Sequence, residues 1–259
     1  MMILFVFAVC LCASTVGGIC GIGGGVVIKP ILDATGVMSV SAVSFLSGLT
    51  VMAMSLISVY KNRKTNELDA ARSIPLGIGA AVGGVLGKRL FEAIKQAVGA
   101  DQLVGMIQAI VLGLMVLGTL VYVCNKAHIR TQNVTKAAPA VAIGLLLGMS
   151  SSFLGIGGGP MNLAVLYYFF SMGTKKAAVN SILIILISQT MSLIVSLLTG
   201  SVPAFELPVL AAMVCAGALG GFISAKLHKK LSAETTDKLF SALLVVIILI
   251  CCYNAAKWM

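Results

Sequence analysis

The sequence predicts an all-α membrane protein of two homologous inverted repeats, each a glycine-broken re-entrant segment plus three transmembrane helices. Three observations carry this prediction. Of 259 residues, 59% are hydrophobic and 10% charged, against about 25% charged in a soluble domain. The mean hydropathy is +1.08. The string Gly-Ile-Gly-Gly-Gly occurs twice, at 21–25 and 155–159, an offset of 134. With 18 Lys and Arg and 8 Asp and Glu, the chain cannot cover the surface of a soluble protein of this size. A soluble enzyme, a disordered chain and a secreted disulfide scaffold are excluded. The uncharged runs are also too long for barrel strands of about 10 residues.

The first 37 residues hold an apolar stretch with no basic residues before it, followed by the first glycine string. This reads as a retained membrane segment rather than a cleaved signal peptide. Uncharged runs then place ordinary spans at 38–60, 73–87, 102–125, 177–205, 207–225 and 239–256. The run 73–87 is short, and Lys88 and Arg89 extend it by snorkelling. The run 137–174 carries no charge over 38 positions, too few for two full helices and a turn. Its glycine string leaves about 15 residues before and 13 after, each about 20 Å of helix. Both glycine segments are therefore expected to be hairpins of two half-helices that meet at mid-membrane and return to the same side.

Further anchors support the duplication. Ala42-Val43 matches Ala178-Val179, Met54-Ser55-Leu56-Ile57 matches Met191-Ser192-Leu193-Ile194, and Gly83-Gly84 matches Gly220-Gly221. The repeats are placed at 1–125 and 139–259, with a basic cytoplasmic linker at 126–138. Re-entrant glycine segments split the Lys and Arg 13 against 5 between the two sides, whereas eight alternating spans would split them 8 against 10. The first split is the positive-inside bias. Three full spans per half is an odd number, so the second half enters inverted.

The net charge of +10 lies in short clusters between apolar runs, such as Lys61, Arg63 and Lys64. That is the pattern of cytoplasmic loops and not of a nucleic-acid surface. The seven cysteines include no CxxC pair, so neither a structural metal nor a disulfide framework is expected. His128 and His228 are expected in loops. No Asp, Glu or His chain in the spans argues for a proton relay. The absence of a Ser-His pair, an Asp pair or HExxH in the spans argues against a protease, and no catalytic residue is expected.

Non-helical backbone in hydrocarbon is tolerated only where it is buried or lines a cavity. Two breaks at matched positions therefore mark the expected binding site. Gly21, Gly23, Gly24 and Gly25, with Gly155, Gly157, Gly158 and Gly159, would let a ligand approach the backbone and present N–H groups at helix starts to an anion. Pro160 suits the first position of the second such helix. Close helix packing is the competing explanation of the glycines. Neither string has the Lys-Ser/Thr of a nucleotide P-loop. Lys29 is expected at the outer interface, since a buried lysine is expensive. Among polar residues in the spans, Ser44 and Asn180 occupy matching positions. Asn162 follows the second string, and Gln189 lies on the fourth ordinary span. Neutral hydroxyl and amide donors suit a weakly hydrated oxyanion, while interhelical hydrogen bonding is the alternative for each.

GIGGGVVIKP at 21–30 and GIGGGPMN at 155–162, on two halves of a small basic membrane protein, resemble the TauE/SafE sulfite-exporter family. The likeness covers essentially the whole chain. The first half keeps the GxGGG-xxxx-P pattern through Pro30, whereas the second has Ala164 where that proline would fall. The resemblance implies movement of sulfite, sulfoacetate, sulfonates or carboxylates across the plasma (inner) membrane. The expected partners are a small anionic substrate and the lipid bilayer, with a homodimer compatible and nucleic acid not, and no cofactor is expected. The rival readings are an anion channel of the same architecture and a non-transporting subunit of a sulfur-metabolism system.

Overall fold

The structure is a computed structural model that describes residues 2–63, 65–98, 101–126, 128–154 and 158–257. The described residues form ten helices and no strand. The first half contains α1 (Met2–Cys20), α2 (Gly25–Thr35), α3 (Val40–Asn62), α4 (Ala70–Val98) and α5 (Asp101–Asn125). The second contains α6 (Ala137–Leu154), α7 (Gly159–Tyr168), α8 (Thr174–Leu198), α9 (Leu207–Lys230) and α10 (Ala233–Lys257). Eight of them are long and apolar enough to cross a membrane; the short α2 and α7 are the exceptions. Leu114, Leu146, Leu198 and Leu249 stand exposed on the outside of the bundle, as helices that face hydrocarbon do.

The glycine segments differ from the expected half-helices of about 15 and 13 residues. The first arms are long, 19 residues in α1 and 18 in α6, and the second arms short, 11 in α2 and 10 in α7. At 1.5 Å per residue the first arms measure about 27–28 Å and the second about 15–16 Å. The reason lies in packing. α6 begins directly after Lys136 and lies along α4, and α1 lies along α9. α2 ends at Gly36, a left-handed cap at φ 65°.

Small residues let these pairs come close. Gly79, Gly83 and Gly87 of α4 face Val141, Leu145 and Met149 of α6, so the two helices run parallel, and a Cβ on any of the three would overlap an α6 carbonyl. α1 and α9 are also parallel, with Ser14 against Gly220 and Gly18 against Ser224. α3 runs parallel to α9, with Thr50 against Gly217 and Met54 against Gly221. The contacts of the first half have counterparts in the second: α1 on α9 and α6 on α4, α3 on α9 and α8 on α4, α2 on α10 and α7 on α5.

Two other expectations are corrected. Lys29 is not at an interface; it is 7% exposed and pairs with Asp33 of the same helix at 2.9 Å. One turn separates the two, so the ion pair forms locally and the charge is compensated where it is buried. His228 is not in a loop, because α9 continues through Lys230 past the apolar run, and the imidazole is 2% exposed. His228, Lys229 and Lys230 in its last turn complement the helix dipole.

Candidate functional site

The first glycine string turns the chain back between α1 and α2. Gly21 and Gly23 have φ of 80° and 72°, a region that residues with a Cβ rarely enter. The amides of Ile22 and Gly23 bond the Gly17 carbonyl at 2.9 and 3.2 Å, closing the turn. Gly21 lies against the backbone of Ala178 at the start of α8, and Gly24 against Ser14. In the second string Gly158 has φ 89° and caps α7. Gly159 packs against the Ile22 carbonyl, so the first break and the start of α7 touch. Gly155 and Gly157 lie outside the described residues.

Beside this crossing is a cavity of about 330 Å³. Gly25, at the start of α2, and Val51 contribute to its lining. α3 contributes Ser41, Ser44 and Ser47, and α8 contributes Ser188, Gln189, Ser192 and Ser196. α6 adds Ser151 and Ser152, α5 adds Gln108, and α4 adds Lys88 and Glu92. Ser201 and Pro203 stand at the mouth, in the α8–α9 loop. Lys88 Nζ donates to Ser196 Oγ at 3.0 Å and Ser201 Oγ at 3.1 Å. The Gln108 amide donates to the Phe153 carbonyl at 2.6 Å, fixing the end of α6 beside the second break. The polar groups of this largely apolar wall are thus mostly neutral hydroxyl and amide, with one ammonium and one carboxylate.

The opposite end of the bundle is closed by polar and ionic contacts. Asn180 Oδ1 accepts from the Asp69 amide at 2.8 Å and from Ser73 Oγ at 2.7 Å, and its Nδ2 donates to the Glu67 and Lys176 carbonyls at 2.7 Å. Lys176 pairs with Asp69 at 2.9 Å, and Arg72 donates to the Phe170 carbonyl at 3.3 Å. Burial pushes the Asp69 carboxyl up, but Lys176 and Arg72 outweigh it and hold it below the usual carboxylate range. Lys126 pairs with Asp237 at 2.6 Å, and the Thr174 hydroxyl donates to the same carboxylate. His228 Nδ1 lies 3.0 Å from the Ile19 carbonyl and Nε2 lies 3.4 Å from Glu67. These contacts tie the ends of α1, α3, α5 and α9 to the starts of α4, α8 and α10 at one basic face.

A family model described as "Sulfite exporter TauE/SafE" matches residues 6–250. The chain belongs to the TauE/SafE sulfite exporter family. It is a multi-pass membrane transporter of that family. "Probable membrane transporter protein YunE" of Bacillus subtilis (strain 168) is 25% identical over 264 residues, covering 92% of each chain. No solved structure matches.

In this TauE/SafE protein the expected site residues that the structure describes fall into four groups. Gly25, Ser44 and Gln189 line the cavity. Gly21, Gly23, Gly24, Gly158 and Gly159 form the crossing beside it. Asn162 is 3% exposed and its amide lies 3.2 Å from where a Gly158 Cβ would stand, so it folds back over the second break. Asn180 belongs to the basic-face closure, with both ends of its amide engaged there. Sequence reasoning missed Lys88, Gln108, Ser151 and Ser152. One signal was available: Ser151 and Ser152 lie within about one helical turn before the second string.

Proposed function

We propose that the protein is a secondary transporter carrying small sulfur-containing or organic anions, of the sulfite, sulfoacetate and sulfonate class, across the inner (plasma) membrane by alternating access. The observation that carries this reading is a serine-lined cavity, open at one end, that stops at the crossing of two glycine breaks. An anion there meets hydroxyl and amide donors and the start of α2, without a density of charge that would hold it.

On this reading residues 1–125 and 139–259 are inverted repeats joined by 126–138. Helix directions support it: α1, α3 and α9 run one way while α4, α6 and α8 run the other, so α1, α3 and α4 oppose their counterparts α6, α8 and α9. The accumulation of Lys and Arg at the closed face favours a cytoplasmic position for that face, which turns the cavity outward. The bilayer surrounds the bundle, and a homodimer is compatible with its apolar exterior. The closed basic face favours a carrier over an open channel.

Alternating access draws further support from one repeat-related pair. Ser192 lines the open cavity, whereas its counterpart Ser55 is fully buried, its hydroxyl without a hydrogen-bond partner among the described residues. A buried hydroxyl left unpaired is unfavourable by about 1–3 kcal/mol. That is explicable if Ser55 is wetted in the opposite state of the cycle. The test replaces the exposed native Cys12, Cys124, Cys215 and Cys252, then labels Ser55→Cys and Ser192→Cys variants with an impermeant thiol reagent. Ser192→Cys should label from the open face, and Ser55→Cys from the basic face, faster when sulfite is present. A Ser55→Cys variant that never labels from the basic face under turnover conditions contradicts the reading.

A further inference from the structure

We propose that the cavity selects singly charged oxyanions, with Lys88 as their counter-charge and Glu92 as the group that rejects a second negative charge. The inference rests on the transport reading above and narrows its substrate class. Lys88 and Glu92 are the two charged residues of the lining, so the wall is formally neutral before an anion enters. An ammonium has three N–H donors and no acceptor. Two of Lys88's reach the hydroxyls of Ser196 and Ser201 at 3.0 and 3.1 Å. A hydroxyl that accepts such a bond keeps its own O–H to donate. The three groups together therefore offer one further N–H and the Ser196 hydroxyl proton to an oxyanion, with the Ser201 proton shared with Thr199 at 2.8 Å.

A monoanion entering this neutral wall takes the Lys88 ammonium as its counter-charge and leaves one negative charge in excess, on the solvent-exposed Glu92 carboxylate. A dianion leaves two negative charges in excess beside the Glu92 carboxylate, and like charges repel. The serines stabilise either form through hydrogen bonds but bring no net charge. Hydrogensulfite, alkanesulfonates and small monocarboxylates are accordingly favoured over sulfate and doubly charged sulfocarboxylates.

The experiment measures binding of labelled methanesulfonate to the full chain in detergent, displaced by unlabelled methanesulfonate or sulfate, alongside counterflow of the same label in proteoliposomes. The variants are Lys88→Met, Lys88→Arg and Glu92→Gln, each checked for a monodisperse folded species. Sulfate should displace at least about tenfold more weakly than methanesulfonate, and Lys88→Met should weaken methanesulfonate binding at least about tenfold. Lys88→Arg should retain binding, and Glu92→Gln should narrow the gap between the two anions. Sulfate displacing as well as methanesulfonate, or a Lys88→Met variant that binds like wild type, overturns the inference. Lys88-dependent binding without counterflow supports the charge selection and removes the transport reading. Counterflow indifferent to Lys88 removes the selection and leaves the transport reading. Neither binding nor flux in folded protein overturns both.

Discussion

Asn180 and Asp69 form the most connected point of the basic face. One amide joins the α3–α4 loop to α8 through partners more than 100 residues away, and the Asp69 carboxylate adds Lys176. Replacing Asn180 with Leu keeps the bulk but leaves the Asp69 amide and the Ser73 hydroxyl unpaired. The expected destabilisation is about 2–4 kcal/mol, read as a lowered unfolding temperature in detergent; an unchanged temperature would show the network to be dispensable. The closure also depends on pH with a defined sign. Because the folded Asp69 carboxyl titrates below its ordinary range, its contribution is fully present at neutral pH and is lost as pH falls through that lowered value. Sequence alone identifies Asn180 as a polar group in an apolar segment. It does not identify the partners, because they come from the other half, and the same composition fits a ligand site. Lys29 shows the same limit from the other side: its compensation by Asp33 needs the helix to continue through Pro30, and the proline weakens the case for that in sequence.

At the scale of elements, the glycine-rich α4 face decides how α6 is held. Gly83 admits the Leu145 carbonyl so closely that any Cβ would overlap it. A Gly83→Val variant should force the pair apart and destabilise the protein by about 1–3 kcal/mol or more, with loss of the monodisperse species in size-exclusion chromatography. A Gly83→Val protein as stable as wild type would contradict the described packing. The positions of the ordinary helices were legible from uncharged runs to within about seven residues, except that α4 continues past its run through Lys88 and Arg89 to Val98. The glycine breaks were legible because a five-residue string at a fixed offset is hard to produce by composition alone. The unequal arms were not. Arm length is set by how far α1 and α6 can lie against α9 and α4, and that depends on small residues on a partner helix far along the chain. The end of α9 was misjudged for a related reason: a basic last turn interrupts hydropathy but favours helix.

Across the whole molecule, two similar halves meet at their glycine breaks, one end opening into a serine-lined cavity and the other closed by ion pairs. The duplication and the clustering of basic residues between apolar runs were readable in sequence, since each is a pattern over the entire chain; the expected three full spans per half were not met, because α1 and α6 are also long and apolar enough to cross. Which end stands open was not readable, because hydropathy and charge mark where helices cross and not how tightly their ends pack. Lys88 escaped notice because a lysine near the end of a span has a simpler explanation in snorkelling, and only the fold sets it against Ser196 and Ser201. The central claim is that the cavity belongs to a carrier cycle for small anions. Counterflow of labelled sulfite in proteoliposomes holding the purified chain alone tests it most directly. The account predicts saturable uptake of label driven by unlabelled sulfite inside. It would be contradicted by folded protein that moves no sulfite, or by uptake that neither saturates nor responds to the anion on the other side.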